Sequence, residues 1–247
     1  MSSNNWIVPD WPAPKNIIAI STTRNGGYSL SPYEQLNLGL HVGDDVDLVL
    51  KNRQLITDSA QLPEAPRWLE QTHSTDVLTS QNWQTDSVAD AMVSQYSHHV
   101  CTIMTADCLP ILLCDQQGTM VAAIHAGWRG LQAGIIEKTI AHFSCPPSEI
   151  MAWFGPAIGP SQFEVGEDVY QQFVGCDPQA SSAFQSTDEQ HYLANIYHLA
   201  KQRLNSNGIS AIYGGQFCAV SASQQFFSYR REGVTGRMAT MIWLADK

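Results

Sequence analysis

Short, unbroken apolar runs recur along this chain, and each one ends abruptly at a polar or glycine-containing loop. The clearest cover residues 17–23, 100–105, 109–114, 119–124, 150–154, 209–213 and 238–244. Runs of this length without apolar–polar alternation predict strands covered on both faces. Stretches with helical spacing lie between them. Val49, Leu50, Arg53, Leu55 and Ile56 predict a helix over residues 46–62, with Asp44 and Asp45 placed to cap it. Leu131, Ile135, Ile136, Ile140 and Phe143 share one helical face, and residues 195–205 predict a further helix stopped by Gly208. Continuous apolar strands alternating with amphipathic helices indicate an α/β protein built on a buried, mixed β-sheet.

Neither an internal repeat nor a low-complexity linker interrupts the 247 residues, so a single domain over residues 1–247 is expected, although the length could also hold two tightly fused lobes. The net charge of −10 and a pI near 5.1 repel polyanions, and a chain of this kind has no electrostatic footprint for nucleic acid. A discrete small anion is a different matter. Of eight arginines, Arg24, Arg129, Arg230, Arg231 and Arg237 lie in or beside glycine-containing loops, where focused positive charge can meet a phosphate. The opening MSSNNWIVPDW has no basic n-region or apolar h-region, and no apolar run reaches the ~18 residues that span a bilayer. Six cysteines without a CxxC pair read as reduced thiols in the cytoplasm.

Eight histidines are candidates for chemistry. His98 and His99 are adjacent in a turn-like SQYSHHV segment, while His142, His191 and His198 sit in polar surroundings that predict surface positions. His73, Cys108 and His125 stand apart, because each follows or ends an apolar run where the chain enters a loop. Strand ends opening into loops are where α/β proteins place ligand sites. The intervals of 35 and 17 residues match no short metal motif. Two imidazoles and a thiolate nevertheless form a three-ligand zinc set that leaves one tetrahedral position open for water or substrate. The same donors suit a single copper. A metal-free Cys108–His125 dyad, with Asp107 or Asp76 orienting the histidine, is a third possibility, although it leaves His73 without a role. Arg24-Asn25-Gly26-Gly27 offers a guanidinium and loop amides to a phosphate, whereas GxxxxGK and GxGxxG patterns are both absent.

Seven ordered blocks around these residues resemble the YfiH-type laccase-domain proteins, also described as multifunctional purine nucleoside phosphorylases. They are STTRNGGYSLSPYEQLNLGLHVGDD, LEQTHSTDV, ADAMV, TADCLPILL, IHAGWRGL, FGPAIGPSQFEVG and FFSYRREGVTGRMATMIWL. The resemblance implies a zinc site at His73, Cys108 and His125 and a layered α/β sandwich with mixed sheets. It implies phosphorolysis of adenosine, inosine, guanosine and methylthioadenosine, together with adenosine deamination. Arg24, Asn37, His41 and Arg129 fall within the blocks and are expected to line the substrate pocket. Ser74 and Ala219 depart from residues frequent in the family, and neither belongs to the trio. Copper-dependent polyphenol oxidation, the source of the laccase label, is the rival activity. No two histidines here are spaced as the His-x-His pairs of multicopper oxidases. A metal-free Cys–His hydrolase is the other rival.

Overall fold

The computed structural model describes residues 6–246. In chain order its first strands and helix are β1 (Trp6–Ile7), β2 (Ile17–Thr22), α1 (Val46–Ser59), β3 (Val77–Thr79) and β4 (Ala91–Ser94). The middle of the chain supplies β5 (Cys101–Thr105), β6 (Leu109–Asp115), β7 (Val121–Ala126), α2 (Trp128–Ala133), α3 (Ile135–Ile140) and β8 (Ile150–Phe154). There follow β9 (Glu164–Gly166), α4 (Glu167–Cys176), β10 (Phe184–Ser186), β11 (His191–Ala194) and α5 (Ile196–Ser206). Strand β12 (Ala211–Gly214), helix α6 (Tyr229–Glu232) and strand β13 (Met238–Leu244) complete the order.

A six-stranded sheet runs β12-β8-β6-β7-β4-β3 and is mixed, with parallel pairs at its two edges and antiparallel pairs within. A four-stranded sheet runs β1-β2-β13-β5 and is antiparallel throughout. These two sheets pack on each other. Leu112, Cys114, Ala123 and Trp153 from the larger meet Ala19, Ile103 and Ile242 from the smaller in one buried cluster. Ile111, Leu113, Ala122 and Ile124 point the other way, onto Ile135 and Ile136 of α3 and Leu199 of α5. On the outer face of the smaller sheet, Ile20, Met241 and Trp243 are covered by Ile56 of α1 together with Leu36 and Leu38. The result is four layers in the order helix, sheet, sheet, helices.

This layering explains the apolar runs. Successive side chains of a strand face opposite sides, and here both sides are dry, so β6 is buried at every position. The expected α/β class with mixed sheets in a layered sandwich is the observed one. The helix expected over residues 131–143 is instead two short ones, because Gly134 takes a φ of 97° between α2 and α3. That left-handed geometry suits a residue without a Cβ and ends a helix. A small antiparallel sheet of order β10-β11-β9 was not expected. Among the described residues, no helix is long and apolar enough to cross a membrane.

Candidate metal centre and substrate cavity

Strand register assembles the trio. Antiparallel β6 and β7 pair Leu109 with Ala126 and Pro110 with His125, so Cys108, just before β6, lies against the end of β7. Pairing of β4 with β7 sets Ala91 opposite Ile124, which leaves Asp90 beside His125. The backbone N–H of His125 donates to the Asp90 carbonyl at 2.7 Å, and the His125 Nδ1 lies 2.7 Å from Asp90 Oδ1. That buried carboxylate also accepts the N–H groups of Thr72, His73 and Ser74 at 3.2, 3.0 and 2.6 Å, and the Ser74 hydroxyl at 2.8 Å. Three successive amides closing on one anion form a nest. It holds His73 at a φ of 61°, a conformation that a residue with a Cβ adopts only when its surroundings impose it. One acid therefore places both histidines.

His73 Nε2 lies 3.7 Å from Cys108 Sγ, and the two imidazole rings stand edge to face with centroids 4.8 Å apart. One donor atom from each residue falls within 4.8 Å of the others. Zinc bond lengths place a nitrogen and a sulfur sharing a tetrahedral ion about 3.5 Å apart, close to the spacing of His73 Nε2 and Cys108 Sγ. Asp90 occupies Nδ1 of His125 and leaves Nε2 for the ion, the arrangement of a carboxylate–histidine–metal unit. Gly127 completes the cradle: a Cβ there would sit 2.7 Å from His73 Cδ2 and 3.2 Å from Cys108 Sγ.

Charge follows the geometry. Burial pushes the Cys108 thiol up, but the two imidazoles outweigh it and bring the group down to about 6. Burial pushes His125 down, yet the Cys108 and Asp90 charges carry it up to about 9. Asp90, which burial alone would raise, is drawn down to about 2 by His125 and Ser74. Without an ion Cys108 and His125 therefore form a thiolate–imidazolium pair, and a metal ligated by both would displace the His125 proton.

The trio lines a cavity of about 530 Å³, within the range of small-molecule sites. Met104, Trp128, Ile158, Phe163 and Ile196 give it apolar walls. His41, Gln71, Arg129, Arg230 and Arg237 supply polar ones. Asp107, held at a φ of 101° between β5 and β6, accepts the Arg230 N–H at Oδ2 at 2.7 Å. Its Oδ1 is buried without a hydrogen-bond partner among the described residues, and burial raises its pKa.

His41 and Arg129 line the cavity as expected, and His98, His99, His142, His191 and His198 do not. Arg24 and Asn37, also expected there, are not among its lining residues. Arg24 is consumed by scaffolding: Nη1 lies 2.8 Å from Glu232 Oε1 and donates to the Ser223 carbonyl, while Nε donates to the Glu34 carbonyl. Asn37 is fully buried behind the wall, where Oδ1 accepts the N–H groups of Gly39 and Arg237, both at 2.9 Å. The orienting acid is Asp90, not Asp107 or Asp76. Asp90 carries no local signal of its role beyond its place in the ADAMV block, and Arg237 stood out only as one of five arginines near glycine-containing loops.

A family model described as multi-copper polyphenol oxidoreductase laccase matches residues 18–245. Purine nucleoside phosphorylase YfiH of Escherichia coli (strain K12) is 51% identical over 240 residues, covering 96% of this chain and 98% of that one. A purine nucleoside phosphorylase of Haemophilus influenzae is 50% identical over 239 residues, with 96% and 98% covered. The crystal structure of Neisseria meningitidis protein NMB0706 superposes with a TM-score of 0.95 at 46% identity, covering 98% of this chain and all of that one.

Proposed function

This chain belongs to the multi-copper polyphenol oxidoreductase laccase family, and from that footing we propose that it is a zinc-dependent purine nucleoside phosphorylase. The observation that carries the proposal is the convergence of His73, Cys108 and His125 on one side of a nucleoside-sized cavity with apolar walls and three arginines. Relatives at about half identity over nearly the whole chain bear that enzyme's name.

Each part of the cavity has a task in phosphorolysis. The apolar walls at Trp128, Ile158 and Phe163 suit a flat purine, which loses little by leaving water for such surroundings. An oxygen of phosphate attacks C1′ of the ribose as the C1′–N9 bond breaks, and the electron pair leaves on the purine. Guanidinium groups hold the phosphate dianion in place and favour the geometry of attack. His73, Cys108 and His125 would hold a zinc ion, which would supply Lewis acidity to the cavity when bound. Asp90 orients the His125 imidazole and fixes the backbone at His73.

Polyphenol oxidation by several coppers fits less well. His73, Cys108 and His125 form the one cluster of three metal-ligating side chains among the described residues, and four-electron oxygen reduction needs stored electrons at several sites.

Purified protein incubated with adenosine or inosine should release free base and ribose 1-phosphate only when phosphate is present. Inosine formed from adenosine without phosphate measures the companion deamination. Cys108→Ala should lower phosphorolysis by roughly 100-fold or more, at the upper end of losses at metal sites. Product formation that ignores both phosphate and Cys108, or brisk phenol oxidation by copper-loaded protein, would overturn the assignment.

A further inference from the structure

Phosphate needs a cation in the cavity that nothing else has claimed. Arg24, Arg67, Arg203 and Arg231 each lie within 4.0 Å of a carboxylate. Among the described residues Arg53, Arg129, Arg230 and Arg237 have no such partner, and the last three line the cavity. Leaving guanidiniums unpaired at one place, in a chain of net charge −10, concentrates what positive potential the molecule has.

The four differ in what their donors are doing. Arg53 points Nε and Nη2 at the Leu38 carbonyl, at 3.0 and 2.8 Å, and stacks over Trp68. Arg230 spends Nη1 and Nη2 on the Glu164 carbonyl, both at 3.1 Å. Arg129 is exposed and lies over the Trp128 ring. Arg237 alone is fixed at one end and open at the other. Its Nη1 donates to the Thr235 and Gly236 carbonyls at 3.0 Å each, and among the described residues no hydrogen bond engages Nε or Nη2.

Its placement is built with care. Met238, the next residue, pairs with Thr105 at the end of β5, so Arg237 adjoins the 106–108 loop that carries Cys108. Asn37 holds the Arg237 N–H, and the Gly39 backbone lies so close to the side chain that a Cβ there would meet Arg237 Cγ at 2.8 Å. His41 follows two residues later and lines the same cavity, lowered in pKa by burial and by the Arg237 and Arg53 charges.

We propose that the free Nε–Nη2 edge of Arg237, with His41 beside it, is the phosphate subsite of this cavity. It takes a tetrahedral oxyanion through two parallel N–H donors, as a guanidinium fork does. The inference rests on the phosphorylase assignment only for the identity of its occupant. It sets the anion site at Arg237, at the start of β13, and not at the Arg24 loop; the sequence offered both among its arginines near glycine-containing loops. It also gives Asn37 and Gly39 a purpose, since both act on the arginine and neither touches the cavity.

Inorganic phosphate titrated into the protein by calorimetry, in the presence and absence of adenosine, tests this directly. Arg237→Gln should weaken phosphate binding about 10- to 100-fold, the scale of a lost charge-assisted pair. Bound metal and nucleoside affinity should fall much less than phosphate affinity does, since the ligand trio and the apolar walls are left in place. Unchanged phosphate affinity would overturn the subsite. If the glutamine variant does not fold, phenylglyoxal labelling of the native protein decides: phosphate must protect Arg237, and unaltered labelling overturns the proposal. Adenosine 5′-monophosphate distinguishes the source of the phosphate. Should it bind far more tightly than phosphate and depend equally on Arg237, the subsite stands with a substrate's own phosphate in it. Phosphate binding without ribose 1-phosphate formation would end the phosphorylase assignment and leave the subsite intact. Phosphorolysis with an unchanged KM for phosphate in the variant would do the reverse.

Discussion

Asp90 carries more of the candidate centre than any ligand does. Its carboxylate orients His125 through Nδ1 and pins the His73 loop through three amides, so it acts on two ligands at once. Asp90→Asn keeps the shape but removes the anion that those amides close upon. Metal affinity should fall by about 10- to 100-fold, as for other partners of metal-bound histidines. Competition with a calibrated chelator measures this, and an unchanged affinity would show that the trio holds its own geometry. Gly127 tests the cradle from the other side. Gly127→Ala puts a methyl group 2.7 Å from His73 Cδ2, so His73 must move and metal occupancy should drop in elemental analysis. Gly175→Ala, in α4 with nothing within 4 Å of the added Cβ, is the control and should bind metal normally. His73, Cys108 and His125 could be picked out of the sequence because their side-chain chemistry is rare and each stands at the border of an apolar run. Asp90 could not, since acids are common, and Arg237 could be singled out only as one of five arginines near glycine-containing loops. Their importance comes from partners 35 and 200 residues away, at His125 and Asn37.

Elements were legible where their periodicity was strong. The runs over β2, β6, β8 and β13 announced themselves because both faces of each are buried. Strands β9, β10 and β11 did not, for they are three or four residues long and mix polar with apolar side chains. Tertiary pairing makes them strands. Helix α5 shows how an element serves the cavity. Asn195 caps it by accepting the His198 N–H at 3.0 Å, and Ile196 in its first turn lines the cavity. The next residue, Tyr197, ties down the neighbouring loops: its hydroxyl accepts the Ala157 N–H at 2.8 Å and donates to the Phe217 carbonyl at 2.8 Å. Tyr197→Phe leaves the buried Ala157 amide without that partner, which costs about 1–3 kcal/mol. Urea unfolding should register the loss while metal affinity stays unchanged. A drop in metal affinity of the same size would mean that the 155–158 loop, and not only the sheet edge, positions the trio.

At the scale of the molecule, the centre lies where two sheets end together. Strand β5 belongs to the smaller sheet and β6 to the larger, so the 106–108 loop between them crosses from one layer to the other and carries Cys108 at the crossing. His125 and Asp90 come from the larger sheet, while Arg237 opens the last strand of the smaller. The residues of the site therefore depend on the sheets packing, whereas the sheets do not depend on a metal. Their shared interior, from Ile103 and Ile242 across to Leu112 and Trp153, is buried without reference to the trio. This order of dependence makes a measurable claim. Removing the metal with a chelator should leave far-UV circular dichroism intact and unfolding cooperative, unlike small zinc domains whose folding requires the ion. The melting temperature should nevertheless fall, because an ion that binds only the folded chain stabilises it by mass action. At a free metal concentration near one hundred times Kd that contribution is about 2.7 kcal/mol, or roughly 5–10 °C for a chain of this size. Full recovery on adding zinc would identify the lost ion as the cause. A chelated protein that unfolds outright would instead mean that the ion joins the two sheets, and that the packed interior between them is insufficient alone.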